Sequence, residues 1–237
     1  EFLGGKPELV KLGEFDDVDL AMMMHTTSSK DEGKLCVSGT NNGTLAFNRS
    51  NAFTVANAIG GTGALTKAGA GTTTLPGANT YSGTTTINAG TFQVGSGATG
   101  TLGTGAVVNN ATLTFNRSNA LTVANDISGT GAVTKTGAGT MTVTGANTYS
   151  GTTTISTGTL QVGDGGTAGT LGTGAVVNSA TLTFNRSDAI TVANVISGSG
   201  ALIQSGAGTT TFTGANTRTG TTTISAGTVQ VGDGGTT

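Results

Sequence analysis

The chain has 237 residues, a formal net charge of −2, only 9% charged residues, 42 glycines and no Trp. So few bases, in no stripe, with few aromatics exclude a nucleic-acid-binding surface. The lack of any long apolar run excludes a spanning helix, and with it direct membrane insertion of this segment.

Residues 1–38 stand apart in composition. Residues 1–36 hold eight of the 12 acids, and the chain's one histidine, His25, and one cysteine, Cys36, fall here too. A single cysteine makes no internal disulfide. The stretch reads either as a cap that shields the first strand edge or as a non-native leader, with room for a short helix between Glu8 and Met24. FDDVDL (15–20) groups three aspartates but lacks the glycine and distal glutamate of a calcium loop, so it reads as a solvated acidic turn. There is no initiator Met and no signal peptide, which predicts a processed or excised piece.

Residues 39–237 form a repeat domain. FNRS opens at Phe47, Phe115 and Phe184, giving spacings of 68 and 69 residues. A 35-residue segment recurs at 61–95, 129–163 and 198–232. A fixed period of this size predicts a stacked repeat. Each period contains short units such as NGTLAF (42–47), AGTTTL (70–75) and AGTFQV (89–94), 28 and 19 residues apart. Apolar and polar residues alternate in them: Leu113 and Phe115 face one way, Thr112 and Thr114 the other. Period-2 alternation rich in Thr, Val and Ile is a strand pattern. Low charge and a mean hydropathy of +0.06 argue against disorder.

The fold expected is therefore all-β, a β-solenoid of about nine coils of roughly 23 residues, three coils per repeat. The repeat stops at Thr237 where earlier copies run on, which predicts a fragment of a longer rod. Stacking like on like puts Phe47, Phe115 and Phe184 at one corner. It makes Leu75, Val94, Val143 and Val162 one inward rank. Asn57, Asn125 and Asn194 (in VAN) and Asn79, Asn147 and Asn216 (in GAN-T) fall at turns, where Asn bonds its own backbone. The NRS triplets match the glycosylation acceptor pattern but read as turns with an exposed Arg.

The same register makes Thr44, Thr72, Thr91, Thr112, Thr140, Thr159, Thr181, Thr209 and Thr228 one outward row. The row beside it holds Thr74, Thr114, Thr142, Thr183 and Thr211, with Gln in every third coil. The candidate surface-binding array is Thr72, Thr74, Thr112, Thr114, Thr140, Thr142, Thr181, Thr183, Thr209 and Thr211. A flat Thr array of this kind resembles an ice-binding face and would also suit a glycan lattice; Thr is equally the favoured outward residue of any solvated strand.

No catalytic, cofactor-binding or metal site is predicted. The repeat domain has no histidine, and its carboxylates, Asp126, Asp164, Asp188 and Asp233, have no near partner in sequence for acid–base work. GDGG occurs once per period, too seldom for a calcium roll. The glycine strings lack the G-K-[ST] ending of a phosphate loop.

The 35-residue segment resembles the autotransporter-associated β-strand repeat, the passenger-associated transport repeat of type V secreted proteins. Its pattern is roughly G-x-G-x-L-x-K-x-G-x-G-T-L-x-L-x-G-x-N-x-Y-x-G-x-T-x-I-x-x-G-T-L-x-V. Lys67, Lys135, Asn79, Asn147, Asn216, Tyr81, Tyr149, Ile87, Ile155 and Ile224 fill its fixed positions. The third copy departs, with Gln204 for Lys and Arg218 for Tyr. The resemblance implies a right-handed parallel β-helix on a bacterial outer surface, exported unfolded through a C-terminal translocator barrel that this chain lacks. It implies a non-enzymatic stalk or adhesin segment whose partners are other copies of itself or a host or abiotic surface.

Overall fold

The computed structural model describes residues 43–234. The expectations placed on residues 1–38 (cap or leader, the Glu8–Met24 helix, FDDVDL, His25, Cys36) lie outside the described residues. All regular elements among the described residues are strands, two to seven residues long. All their pairings are parallel. They stack as a β-solenoid of about nine coils, roughly 43 Å long at about 4.8 Å per coil.

Each coil has three faces. The first face begins as a five-stranded sheet through Thr44–Phe47, Ala64–Lys67, Thr85–Ile87, Val107–Asn109 and Ile127–Ser128. The second is an eight-stranded sheet from Phe53–Thr54 to Ile196–Ser197. The third begins irregularly, where the Thr80 and Tyr81 amides bond Ile59 O, and becomes a six-stranded sheet from Leu121–Val123 to Thr222–Ile224. Above Ile127 the first face runs through irregular segments, with Thr148 N on Ile127 O and Thr173 N on Tyr149 O. Strand pairing there resumes in a three-stranded sheet, Ile190–Val192, Thr209–Phe212 and Thr228–Val231.

The coil length corrects the expected register. Stacked residues lie 19 to 23 apart: Thr72 over Thr91, Leu45 over Leu65, Thr85 over Val107, Thr153 over Val176. Three steps carry Leu45 through Leu65 and Thr85 to Val107. The repeat copy of Leu45 is Leu113, six residues farther on and in the next sheet. Each repeat is thus three coils and one further face. Equivalent residues of successive repeats therefore do not share a face. Phe47, Phe115 and Phe184 lie in three different sheets, and the strand stacked on TLAF is ALTK, pairing Phe47 with Lys67. The expected rank of Leu75, Val94, Val143 and Val162 splits in the same way: Leu75 and Val94 pair on the second face, Val143 and Val162 on the third. Backbone hydrogen bonding sets the step at one turn of the coil, whatever the side chains repeat.

The core is a continuous apolar column. Leu65, Leu75, Ile87, Phe92, Leu113, Phe115, Ile155, Leu182 and Phe184 are at most 1% exposed. Each contributes roughly 1.5–3 kcal/mol, too little in one coil to offset its chain entropy, so stability is shared along the stack. Corners are tight. A Cβ on Gly137 would run into the backbone of Arg117, and one on Gly103 into the ring of Tyr81.

Candidate functional site

The predicted Thr array is divided among the faces. Thr72, Thr91 and Thr112 stack on the second face, Thr140, Thr159 and Thr181 on the third, and Thr209 and Thr228 on the first. Thr74 and Thr114 flank Gln93; Thr142 and Thr183 flank Gln161; Thr211 pairs with Gln230. No single face carries all ten candidates. Thr114 and Thr183 are also buried, at 8% and 6% exposure, rather than presented outward.

A different column of hydroxyls replaces that row. On the second face Thr54, Thr74, Gln93, Thr114, Thr134 and Thr154 are successive register partners, followed by Val177 and Ser197. Thr54, Thr134 and Thr154 were not among the candidates because they come from strands that do not align with TLTF. The signal that finds them is a step of about 20 residues rather than a matching motif.

The other built feature is a corner that recurs in every repeat. Lys67 and Lys135 occupy inward positions and are 0% and 1% exposed. Lys67 Nζ donates to Gly69 O in its own coil and to Ala89 O in the next, the latter at 3.1 Å. Lys135 Nζ donates to Gly137 O and to Thr157 O at 3.3 Å. Both Nζ atoms meet backbone carbonyls rather than a carboxylate, unlike Arg186, which pairs with Asp188. Burial lowers both ammonium pKa values. In the third copy Gln204 Nε2 donates to Gly206 O at 2.9 Å and Gly208 O at 3.2 Å. The sequence signal for this inward cation was the alternation itself: Leu65 and Lys67 are two residues apart on one strand.

The NRS arginines correct another expectation. Arg117 and Arg186 are 8% and 7% exposed, not projecting. Arg186 Nη1 donates to Gly169 O at 2.5 Å, and its Nε and Nη2 grip the Asp188 carboxylate at 2.9 and 2.7 Å. Those bonds hold the Asp188 pKa below its ordinary value. Arg117 likewise reaches Gly100 O but meets the neutral Asn119 Oδ1, at 3.0 and 2.6 Å. Burial lowers the Arg117 pKa.

The turn asparagines staple coils. Asn147 Oδ1 accepts from Ile127 N at 3.0 Å in the coil below, and its Nδ2 donates to Thr170 O at 2.7 Å in the coil above. Asn79 spans Ile59 and Thr101 in the same way. Asn125 and Asn194 each donate to two glycine carbonyls of the preceding coil. Tyr81 and Tyr149 are buried, with each hydroxyl 2.7 Å from the Oγ1 of Thr85 or Thr153, and burial raises both phenol pKa values.

Among the described residues no group of three His, Cys, Asp or Glu could hold a metal ion, and no helix is long and apolar enough to cross a membrane. What this architecture offers is a polar, hydroxyl-rich exterior over an internally braced rod.

The model of the passenger-associated transport repeat matches residues 65–94, 133–162 and 202–231. Each match starts inside a lysine- or glutamine-bearing strand and ends three strands later, in Thr91–Gly97, Thr159–Val162 or Thr228–Val231. The chain is 54% identical over 80 residues to the adhesin BmaC autotransporter of Brucella suis biovar 1 (strain 1330). That stretch is 34% of this chain and 2% of the Brucella protein. No solved structure matches the chain. The chain is thus a parallel β-solenoid that carries three matches to the passenger-associated transport repeat and resembles a short stretch of an autotransporter adhesin.

Proposed function

We propose that the chain is a non-enzymatic stalk or adhesin segment, secreted by the type V route and displayed outside a bacterial outer membrane. There it spaces a distal region from the cell and supports adhesion or self-association. The observation that carries this reading is the unbroken stack of coils bearing three matches to the transport repeat. A solenoid also suits a chain that folds after crossing a pore, because each coil needs only its neighbour and no long-range closure. Lys67, Lys135, Arg117 and Arg186 are buried, which leaves only a few charges, mostly aspartates, on the coat of the described rod, and low surface charge favours association.

Antibody labelling and protease shaving of intact source cells test the reading. Labelling of whole cells, lost on shaving, is the expected result; labelling only after lysis would overturn it. Deletion of the segment is expected to reduce settling of cell suspensions or attachment to a surface.

The second-face hydroxyl column favours a second reading, an ice- or glycan-binding surface. Its rows are about 4.8 Å apart and hold no charge. Thr134→Lys with Thr154→Lys abolishes binding if that face is functional and leaves the chain unchanged if it is only a strand surface.

A further inference from the structure

The lysine corners are built for a nitrogen with two donors. Two carbonyls meet each Nζ, Gly69 O and Ala89 O at Lys67, Gly137 O and Thr157 O at Lys135. A neutral amine has two N–H groups and an ammonium three. The third copy makes the same point with a different residue, since the Gln204 amide has two N–H groups and meets two carbonyls. No counter-charge is brought to either lysine. The strands that pair with Lys67 present Phe47 and Ile87, and those that pair with Lys135 present Phe115 and Ile155. The ionisable groups stacked in these corners are themselves cations: Gly69 lies on the backbone of Arg49 and Gly137 on that of Arg117. The strand that follows each lysine turns non-titrating residues inward, Thr73 and Leu75 after Lys67, Met141 and Val143 after Lys135.

We propose that Lys67 and Lys135 are protonation-sensitive latches between successive coils, fitted to the neutral amine, so that the rod tightens as they lose their protons. The unfolded chain holds these protons at neutral pH, and folding weakens its hold on them because burial disfavours the charged form. The latch works between adjacent coils because each Nζ bonds one carbonyl of its own coil and one of the next. Acidification then loosens the first two repeats, while the third, with Gln204, is indifferent.

The test uses the whole chain. Urea unfolding is followed by circular dichroism from about pH 6 to about pH 9.5, for wild type and for Lys67→Gln with Lys135→Gln. The variant is expected to be the more stable at the acid end. Its advantage should shrink about tenfold in unfolding constant per pH unit for each lysine, within the window between the folded and unfolded titrations. An advantage independent of pH, or none, overturns the proposal. Should the variant fail to fold, lysine side-chain NMR on the wild type decides. Two of the six lysines should titrate below the others in the native chain and rejoin them in urea. Six lysines titrating together in the native chain would overturn the latch.

Discussion

The Thr210 hydroxyl donates to Gln204 Oε1 at 2.8 Å, whereas its repeat counterpart Thr73 has Lys67 in place of the glutamine and keeps its Oγ1 buried without a partner. A buried hydroxyl with no hydrogen bond costs about 1–3 kcal/mol. In the second repeat the same position is Met141, with Lys135 opposite in sequence. The three copies therefore give three answers to one packing question.

Lys67→Gln alone should supply the acceptor that Thr73 lacks. It is expected to stabilise the chain by about 1–3 kcal/mol at neutral pH, from the recovered hydrogen bond and from no longer having to bury an ionisable amine. Lys135→Gln gains less, because Met141 offers no hydroxyl to its Oε1. Thr210→Val should cost about 1–2 kcal/mol, while Thr73→Val should be neutral or stabilising. Urea midpoints of the four variants check the order.

Asp188 gives the third repeat an acid sensitivity that the second lacks. Its folded pKa lies below the unfolded value because Arg186 hydrogen-bonds and attracts the carboxylate. The stabilisation is present above the ordinary carboxylate range and is lost as pH falls through the depressed folded value. Asp188→Asn should remove this acid-side loss. Asn119→Asp should install it beside Arg117 and raise the melting temperature by about 2 °C or less at neutral pH. Melting curves at neutral and acid pH read both changes.

The staples differ in how much they hold. Asn147 bonds the coil below and the coil above, while Asn216 accepts from Ile196 N in the coil below. Asn147→Ala is expected to cost about 2–4 kcal/mol and Asn216→Ala about 1 kcal/mol. Equal losses in urea unfolding would contradict the stapling role.

Face assignment can be read by distance. Spin labels at Thr134→Cys and Thr154→Cys, register partners on the second face, should lie within about 10 Å of each other, near the inter-strand spacing plus label reach, in a Cys36→Ser background. Labels at the repeat-equivalent Thr74 and Thr142 should report different faces and a much longer separation. A separation of only about 14 Å for the second pair, the rise of three coils alone, would restore the register in which repeat equivalents share a face.

Much of the architecture was legible in the sequence. Alternation in NATLTF and the period from Phe47 to Phe115 to Phe184 pointed to parallel strands in a stacked coil, whereas the asparagines, expected to bond their own backbone, bond the coils above and below. The phase of the coil was not legible. Matching TLAF to TLTF by likeness hides the fact that TLAF stacks on ALTK, because nothing in side-chain similarity reports how many residues close one turn. The inward lysines were missed for a related reason. A charged residue on an apolar rank is ordinarily solvated, and only the glycine carbonyls around Lys67 and Lys135 make the interior tolerable to it. The arginines of NRS fold inward for the same cause, toward Gly100 O and Gly169 O.

Because a repeat closes one face beyond three coils, length and orientation are coupled in this rod. Losing one repeat by recombination would shorten it and also swing everything beyond the junction round to a new side. Only a change of three repeats would return a distal region to its original bearing. Variation in repeat number therefore acts on direction as well as reach, as a thread converts travel into rotation.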